Sequence, residues 1–254
     1  MADKRKRVVI KLGTGILTKA TRDGLDTGQF RRLTGEIAES IRAGFEAVLV
    51  TSGAVGAGLM HLKLTERPSD LPSVQAAAAI GQSRLMHLYA TLFARHDLHV
   101  AQLLLTHQDL DSRTRCQNAR NTLERLLRFG NIVPIINEND SVVVEELKFG
   151  DNDFLSAEVA ILSQADLLVL LTSVEGLLGE DNQLIPEVSD IDLVAGLAKR
   201  EMGVYSRGGM VSKLQAAKQA VEAGIPVVIA SGLRKNVITS ALNGEMIGTR
   251  FVPS

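Results

Sequence analysis

Short apolar runs alternate along the chain with longer stretches whose apolar residues fall three and four apart. Val8, Val9, Ile10 and Leu12 form the first run, broken only by Lys11. Phe30, Leu33, Ile37 and Ile41 then repeat at helical spacing and stop at Gly44. Ala47-Val48-Leu49-Val50 reads as a second strand, which the small residues from Thr51 to Gly58 carry into a helix. A long helix is expected from about Ser73 to Arg95, a strand over Val100 to Leu105, and a helix through Arg120 to Leu127 that closes at Gly130. Ile132 to Ile136 gives a fourth strand, a helix begins near Phe154, and Leu167 to Thr172 is the most hydrophobic strand of all. From Ser173 to Met202 the periodicity weakens, which predicts an excursion over the surface. A helix through Ala216, Ala217 and Ala220, a strand over Ile225 to Ala230, a short helix to Asn243 and a last strand near Met246 to Val252 complete the chain.

Strands that alternate with helices from end to end predict a three-layer α/β/α sandwich. Its central sheet would be open and mostly parallel, with helices on both faces. No linker or internal repeat divides the 254 residues, so a single domain over 1–254 is expected. Ligands in such sheets bind at the carboxyl ends of strands. The stretches at Gly13, Ser52, Asn137 and Thr172 each follow a strand and should open on one edge.

Polar residues gather where these strands end. Asn137-Glu138-Asn139-Asp140 follows the fourth strand, and Gly150-Asp151-Asn152-Asp153 precedes the next helix. A surface turn needs one or two such residues; these two runs could hold a charged small molecule, although Asp151 or Asp153 could equally cap the helix. Lys11 sits inside a strand, where a lysine is costly unless its head reaches water or an anion. It is followed by Gly13-Thr14-Gly15, a glycine turn that lets backbone approach a phosphate. A lysine snorkelling from the strand end, followed by an ordinary turn, would fit as well. Lys213 falls in about the first turn of a helix after Gly208-Gly209, where the dipole disfavours a cation unless an anion is bound there. Two lysines, glycine turns and carboxylates suit phosphoryl transfer between anions, with Lys11 and Lys213 as the groups that would grip the phosphoryl.

Composition removes other classes. Lys plus Arg total 28 against 29 for Asp plus Glu, so the balance argues for neither nucleic acid nor a membrane surface. No run approaches membrane-spanning length, and the basic start from Lys4 to Arg7 lacks the apolar stretch of a signal peptide. Cys116 is the sole cysteine, which fits a reducing, cytoplasmic setting. The glycine spacing matches neither a dinucleotide fingerprint nor a P-loop. No Ser/His/Asp set is visible, and the five histidines show no metal-ligand pattern.

The motifs VVIKLGTGILT, VTSGAVGAG, NIVPIINEND, KFGDNDFLSA and GGMVSKLQAA, in this order, resemble the amino acid kinase family. Within it they are most similar to the kinases that act on the γ-carboxylate of glutamate in proline synthesis. The resemblance implies ATP as co-substrate, Mg2+ as cofactor and no protein metal site. Lys11 and Lys213 would stabilise the transferring phosphoryl group, and Asp153 would orient them. Ser52, Gly53, Asn137, Asp140 and Asn152 would hold glutamate, with Asp140 facing its ammonium group. Lys11, Gly13, Thr172, Ser173, Gly208, Gly209, Met210 and Lys213 would meet ATP, with Gly13 and the Gly208-Gly209 turn donating backbone N–H groups. Residues up to about 165 would form the glutamate side and residues 166–254 the ATP side. Ser173, Leu178 and Arg207 depart from the usual residues on the nucleotide side. The chain ends at Ser254, so the RNA-binding-type PUA domain of many relatives is not expected. A homo-oligomer, dimer or tetramer, and inhibition by proline are also implied. Acetylglutamate, aspartate, carbamate or UMP as acceptor, and a catalytically silent regulatory module, are the alternatives.

Overall fold

The structure, a computed structural model, describes residues 5–19, 24–64, 66–142, 152–197 and 209–253. Its sheet has eight strands: β1 (Arg7–Leu12), β2 (Glu46–Thr51), β3 (His99–Leu105), β4 (Ile132–Glu138), β5 (Leu167–Thr172), β6 (Glu187–Val188), β7 (Val227–Ser231) and β8 (Thr249–Phe251). They lie in the order β3-β4-β2-β1-β5-β7-β8-β6. The six strands from β3 to β7 in that order are parallel, whereas β8 runs antiparallel to β7 and carries β6 beside it. The expected open, mostly parallel sheet is therefore observed. The chain starts in the middle at β1, winds outward through β2, β3 and β4, then crosses back to β5 on the other side. That reversal makes the carboxyl ends of β1, β2 and β5 the switch point.

Alternation along β1 sorts the two faces. Val8, Ile10 and Leu12 point into one apolar layer and Val9 into the other. The first layer is covered by α1 (Thr14–Leu17), α2 (Thr27–Arg42), α4 (Leu71–Phe93) and α10 (Val237–Leu242). The second lies under α6 (Arg113–Arg128), α7 (Asn152–Ser163) and α9 (Met210–Glu222). Period two places Lys11 on the same face as Val9, beneath α7 and α9. Both layers are mainly aliphatic; among the described residues Phe30, Tyr89 and Phe93 form an aromatic cluster between α2 and α4.

Helix α3 (Ala54–His61) crosses α4 with almost no gap. A methyl group on Gly58 would lie 1.8 Å from the Ala77 carbonyl oxygen, and one on Gly81 would lie 1.8 Å from that of Ala54. Two further helices are short: α5 (His107–Asp111), and α8 (Ile191–Val194) inside the predicted surface excursion. Sequence periodicity misses α1, α5, α8 and β6, because elements of two to five residues are too short to show a period. At the opposite edge from the strand ends just described, buried Arg7 ties β1 to Glu46 at 2.7 Å and to Glu124 of α6 at 2.6 Å.

Candidate active site

Three charged side chains from three elements meet under α7 and α9. Asp153, in the first turn of α7, is fully buried. Its Oδ1 lies 2.7 Å from Lys11 Nζ, and its Oδ2 lies 3.0 Å from Lys213 Nζ. Lys11 and Lys213 are 1% and 6% exposed, so water contributes little to any of the three. Asp153 is thus not a helix cap; Asp151, the other capping candidate, lies outside the described residues. Burial pushes the Asp153 carboxyl up, but the charges of Lys11 and Lys213 outweigh it and hold the carboxyl below its usual value of 3.8. Two ammonium groups therefore meet on one buried carboxylate.

The sequence places these residues for identifiable reasons. Lys11 is the penultimate residue of β1 and pairs in register with Val50 and Leu170, in the centre of the sheet. Gly209 starts α9 in an extended conformation, with open space where a Cβ would stand. Lys213 follows within the first turn or so, its head reaching down to Asp153. The serine before it, Ser212, also donates to Asp153 Oδ2, at 2.9 Å. Sequence reading did not single out this hydroxyl, although it lies within the glycine-turn motif.

Beside this charged group lies a relay of amides. Asn152 Nδ2 donates to Asn137 Oδ1 at 2.7 Å, to Ser52 Oγ at 3.1 Å and to the Thr51 carbonyl oxygen. Asn137 Nδ2 donates to Gln82 Oε1 at 2.7 Å, and Gln82 Nε2 donates to Gln102 Oε1 at 3.0 Å. Ser52 and Asn137, each distant from Asn152 in sequence by as many as 100 residues, therefore meet through the Asn152 amide. Because Asn152 and Asp153 are adjacent in sequence, the relay and the lysines share one turn of α7. Gly53 holds φ of +97°, the left-handed region, where glycine is unstrained. Gln82 and Tyr89 were not foreseen. Tyr89, on the buried face of α4, shares a 2.8 Å hydrogen bond with Thr51 Oγ1, which anchors the end of β2.

Asp140 lines a cavity of about 430 Å³ with Gln82, Ser83, Gln102, Glu138 and Asn139. Burial raises the Asp140 carboxyl, opposed by Arg67. Burial, then Asp140 and Glu158, push Glu138 to about 7. Glu158 is itself raised by burial, with His107, 2.7 Å away, opposing.

On the other side of the lysines, Gly13 brings its chain close to β5. Its N–H, expected to face a phosphate, donates instead to the Leu171 carbonyl oxygen at 3.2 Å. What Gly13 supplies is room: a Cβ there would stand 3.2 Å from that oxygen and 3.6 Å from Lys11 Nζ. The Thr172 carbonyl oxygen accepts from Gly232 N–H at 2.8 Å, and Ser173 Oγ lies beside Gly15. The Met210 side chain is buried in the apolar layer beneath α9. Gly208 and Arg207 lie outside the described residues. Among the described residues, no three His, Cys, Asp or Glu side chains converge as a metal site.

The family model described as the amino acid kinase family matches residues 6–231. The chain is 50% identical over 255 residues to the glutamate 5-kinase of Moorella thermoacetica, an alignment spanning 98% of this chain and 67% of that protein. It is 47% identical to the glutamate 5-kinase of Pelobacter propionicus, over 98% of this chain and 68% of that one. Among solved structures, carbamate kinase from Giardia lamblia bound to AMP-PNP superposes with a TM-score of 0.68 at 17% identity, covering 98% of this chain and 99% of that one. UMP kinase from Bacillus anthracis superposes at 0.65 and 15% identity, covering 98% and 96%. Those two likenesses speak for the fold alone. With a family model matched from β1 to the end of β7, and half its residues shared with one relative, this chain belongs to the amino acid kinase family.

Proposed function

We propose that this chain transfers the γ-phosphoryl group of ATP to the γ-carboxylate of L-glutamate, giving L-glutamyl 5-phosphate and ADP, the first step of proline biosynthesis. The observation that carries the reading is the meeting of Lys11 and Lys213 on one fully buried carboxylate, Asp153, at a sheet edge. The relatives named glutamate 5-kinase supply the acceptor.

The chemistry asks little of the protein beyond charge and alignment. A glutamate carboxylate is already ionised at neutral pH, so its oxygen attacks the γ-phosphorus without a general base. The bond from phosphorus to the ADP oxygen breaks as the new bond forms. Lys11 and Lys213 neutralise charge on the transferring oxygens, in a site dry enough for that attraction to be strong. Asp153 spaces the two ammonium groups so that they flank the phosphoryl rather than repel each other away from it. Ser52 accepts from Asn152, which leaves its own proton to donate to a substrate carboxylate. Asp140 faces the substrate ammonium from the cavity wall. Mg2+, brought in with ATP, would supply further charge neutralisation; every step described here belongs to the lysines and their partners. The glutamate side lies within about residues 1–165 and the ATP side within 166–254.

Proline shares glutamate's α-carboxylate and cationic amine but has no γ-carboxylate, so we place it at the same Ser52–Asp140 end as an unreactive competitor. The direct test of the function is ATP-dependent acyl phosphate formation, trapped with hydroxylamine, across glutamate, acetylglutamate, aspartate, carbamate and UMP. Hydroxamate from glutamate alone is expected. Turnover of a different acceptor, or of none, would overturn the assignment.

A further inference from the structure

The arrangement around Asp153 Oδ2 has more donors than orienting one lysine requires. Lys213 Nζ stands 3.0 Å away and Ser212 Oγ 2.9 Å away, both from the start of α9. The same Ser212 oxygen lies 3.0 Å from the carbonyl oxygen of Gly209, three residues back. A hydroxyl has one proton, so it serves one of these two acceptors at a time. On the other side of the carboxylate, Lys11 Nζ forms an ion pair with Oδ1 at 2.7 Å.

We infer that Ser212 is a positioning residue whose hydroxyl turns fully onto Asp153 Oδ2 while Lys213 swings from that oxygen to the transferring phosphoryl group. The inference rests on the proposed phosphoryl transfer. For Lys213 to neutralise charge that develops only in the transition state, it must loosen its hold on Asp153 as that charge appears. The oxygen it leaves is fully buried, and no solvent replaces the lost hydrogen bond. A buried carboxylate oxygen deprived of a donor resists the change, because the desolvation cost of an unpaired acceptor falls on the transition state. Ser212 removes that penalty, since its proton turns from the Gly209 carbonyl to Asp153 as the lysine departs. The carbonyl it leaves is the first acceptor of α9 and keeps its helical role. Ser212 touches neither reactant in this scheme; it acts through Asp153.

Ser212→Ala and Ser212→Thr, compared with the unaltered chain in the hydroxylamine assay, test the inference. Losing one charge-assisted hydrogen bond in the transition state alone should lower kcat about 10- to 100-fold. KM for glutamate and for ATP should stay within about threefold in that variant, because the ground state still has Lys213 on the carboxylate. Ser212→Thr keeps the hydroxyl and should restore kcat to within about threefold of the unaltered chain. Urea unfolding of all three establishes that the comparison is between folded proteins. An alanine variant with kcat within about twofold of the original overturns the inference. So does a loss confined to the KM of ATP, which would assign Ser212 to shaping the Gly209 turn, or a folded threonine variant as slow as the alanine one. Should the unaltered chain turn over a different acceptor, the proposed substrate falls while the Ser212 comparison is made with that acceptor. A chain that turns over none overturns both.

Discussion

Removing Asp153 and removing Lys213 should differ in their cost to stability and agree in their cost to catalysis. The buried group holds two ammonium charges and one carboxylate, with Lys11, Asp153 and Lys213 at 1%, 0% and 6% exposure. Asp153→Asn keeps the shape but takes from Lys11 and Lys213 the buried carboxylate that they share. Stranding a buried charge by deleting its partner costs about 3–5 kcal/mol. Lys213→Ala instead leaves Lys11 on Asp153 at 2.7 Å, with Ser212 still on Oδ2. That variant gives up mainly the packing of the lysine stem, about 1–2 kcal/mol. Urea unfolding at pH 7 measures both. The slope with denaturant should match the unaltered chain, so the midpoints report stability directly. In the hydroxylamine assay both variants should lose about 100- to 1000-fold in kcat, the usual cost of deleting one preorganised electrostatic group. A pH series adds a second check. Asp153 has its native pKa depressed below 3.8, so the stability it contributes is present at neutral pH and is lost as pH falls through the depressed value. Asp153→Asn should lose that acid-side slope. A Lys213→Ala protein as unstable as Asp153→Asn would refute the charge argument. A Lys213→Ala enzyme with near-normal kcat and only a raised glutamate KM would remove the lysine from the transition state.

Asp140→Asn should raise the glutamate KM about 10- to 100-fold through loss of a charge-assisted bond, with the ATP KM unmoved; a raised ATP KM instead would move Asp140 to the nucleotide side. Millimolar proline should inhibit, with inhibition relieved by raising glutamate, and Asp140→Asn should weaken both ligands together; inhibition that saturating glutamate leaves in place would separate the two sites. Glu138, with its native pKa raised to about 7, binds a proton that the unfolded chain releases near 4.5. Its stabilising contribution is therefore complete below 4.5 and lost as pH rises through 7. Glu138→Gln should flatten that part of the stability profile, and an unchanged slope in urea midpoints between those pH values would show that Glu138 titrates normally.

Most of the architecture was legible in the sequence, because it rests on local signals. Runs such as Val8–Leu12 and Leu167–Thr172 have too little polarity for anything but buried strands, and the stripe from Phe30 to Ile41 admits one amphipathic helix. The lysine inside β1 and the polar runs at the strand ends marked the active edge, because each breaks a rule that a purely structural segment obeys. Resemblance then supplied roles that spacing could not.

Tertiary structure decided what distance in the chain conceals. Whether Asp153 caps its own helix or holds two lysines depends on β1 and α9, which meet α7 only after the sheet has closed. The Gly13 N–H looks available beside a glycine turn, yet β5 lies close enough to claim it. Ser212, Gln82 and Tyr89 are ordinary residues on helix faces until their partners arrive from elsewhere in the chain. Composition and period report how a segment treats water. They carry no information about which of several polar groups will lie within 3 Å of another, since that is fixed only by the packing of elements distant in sequence.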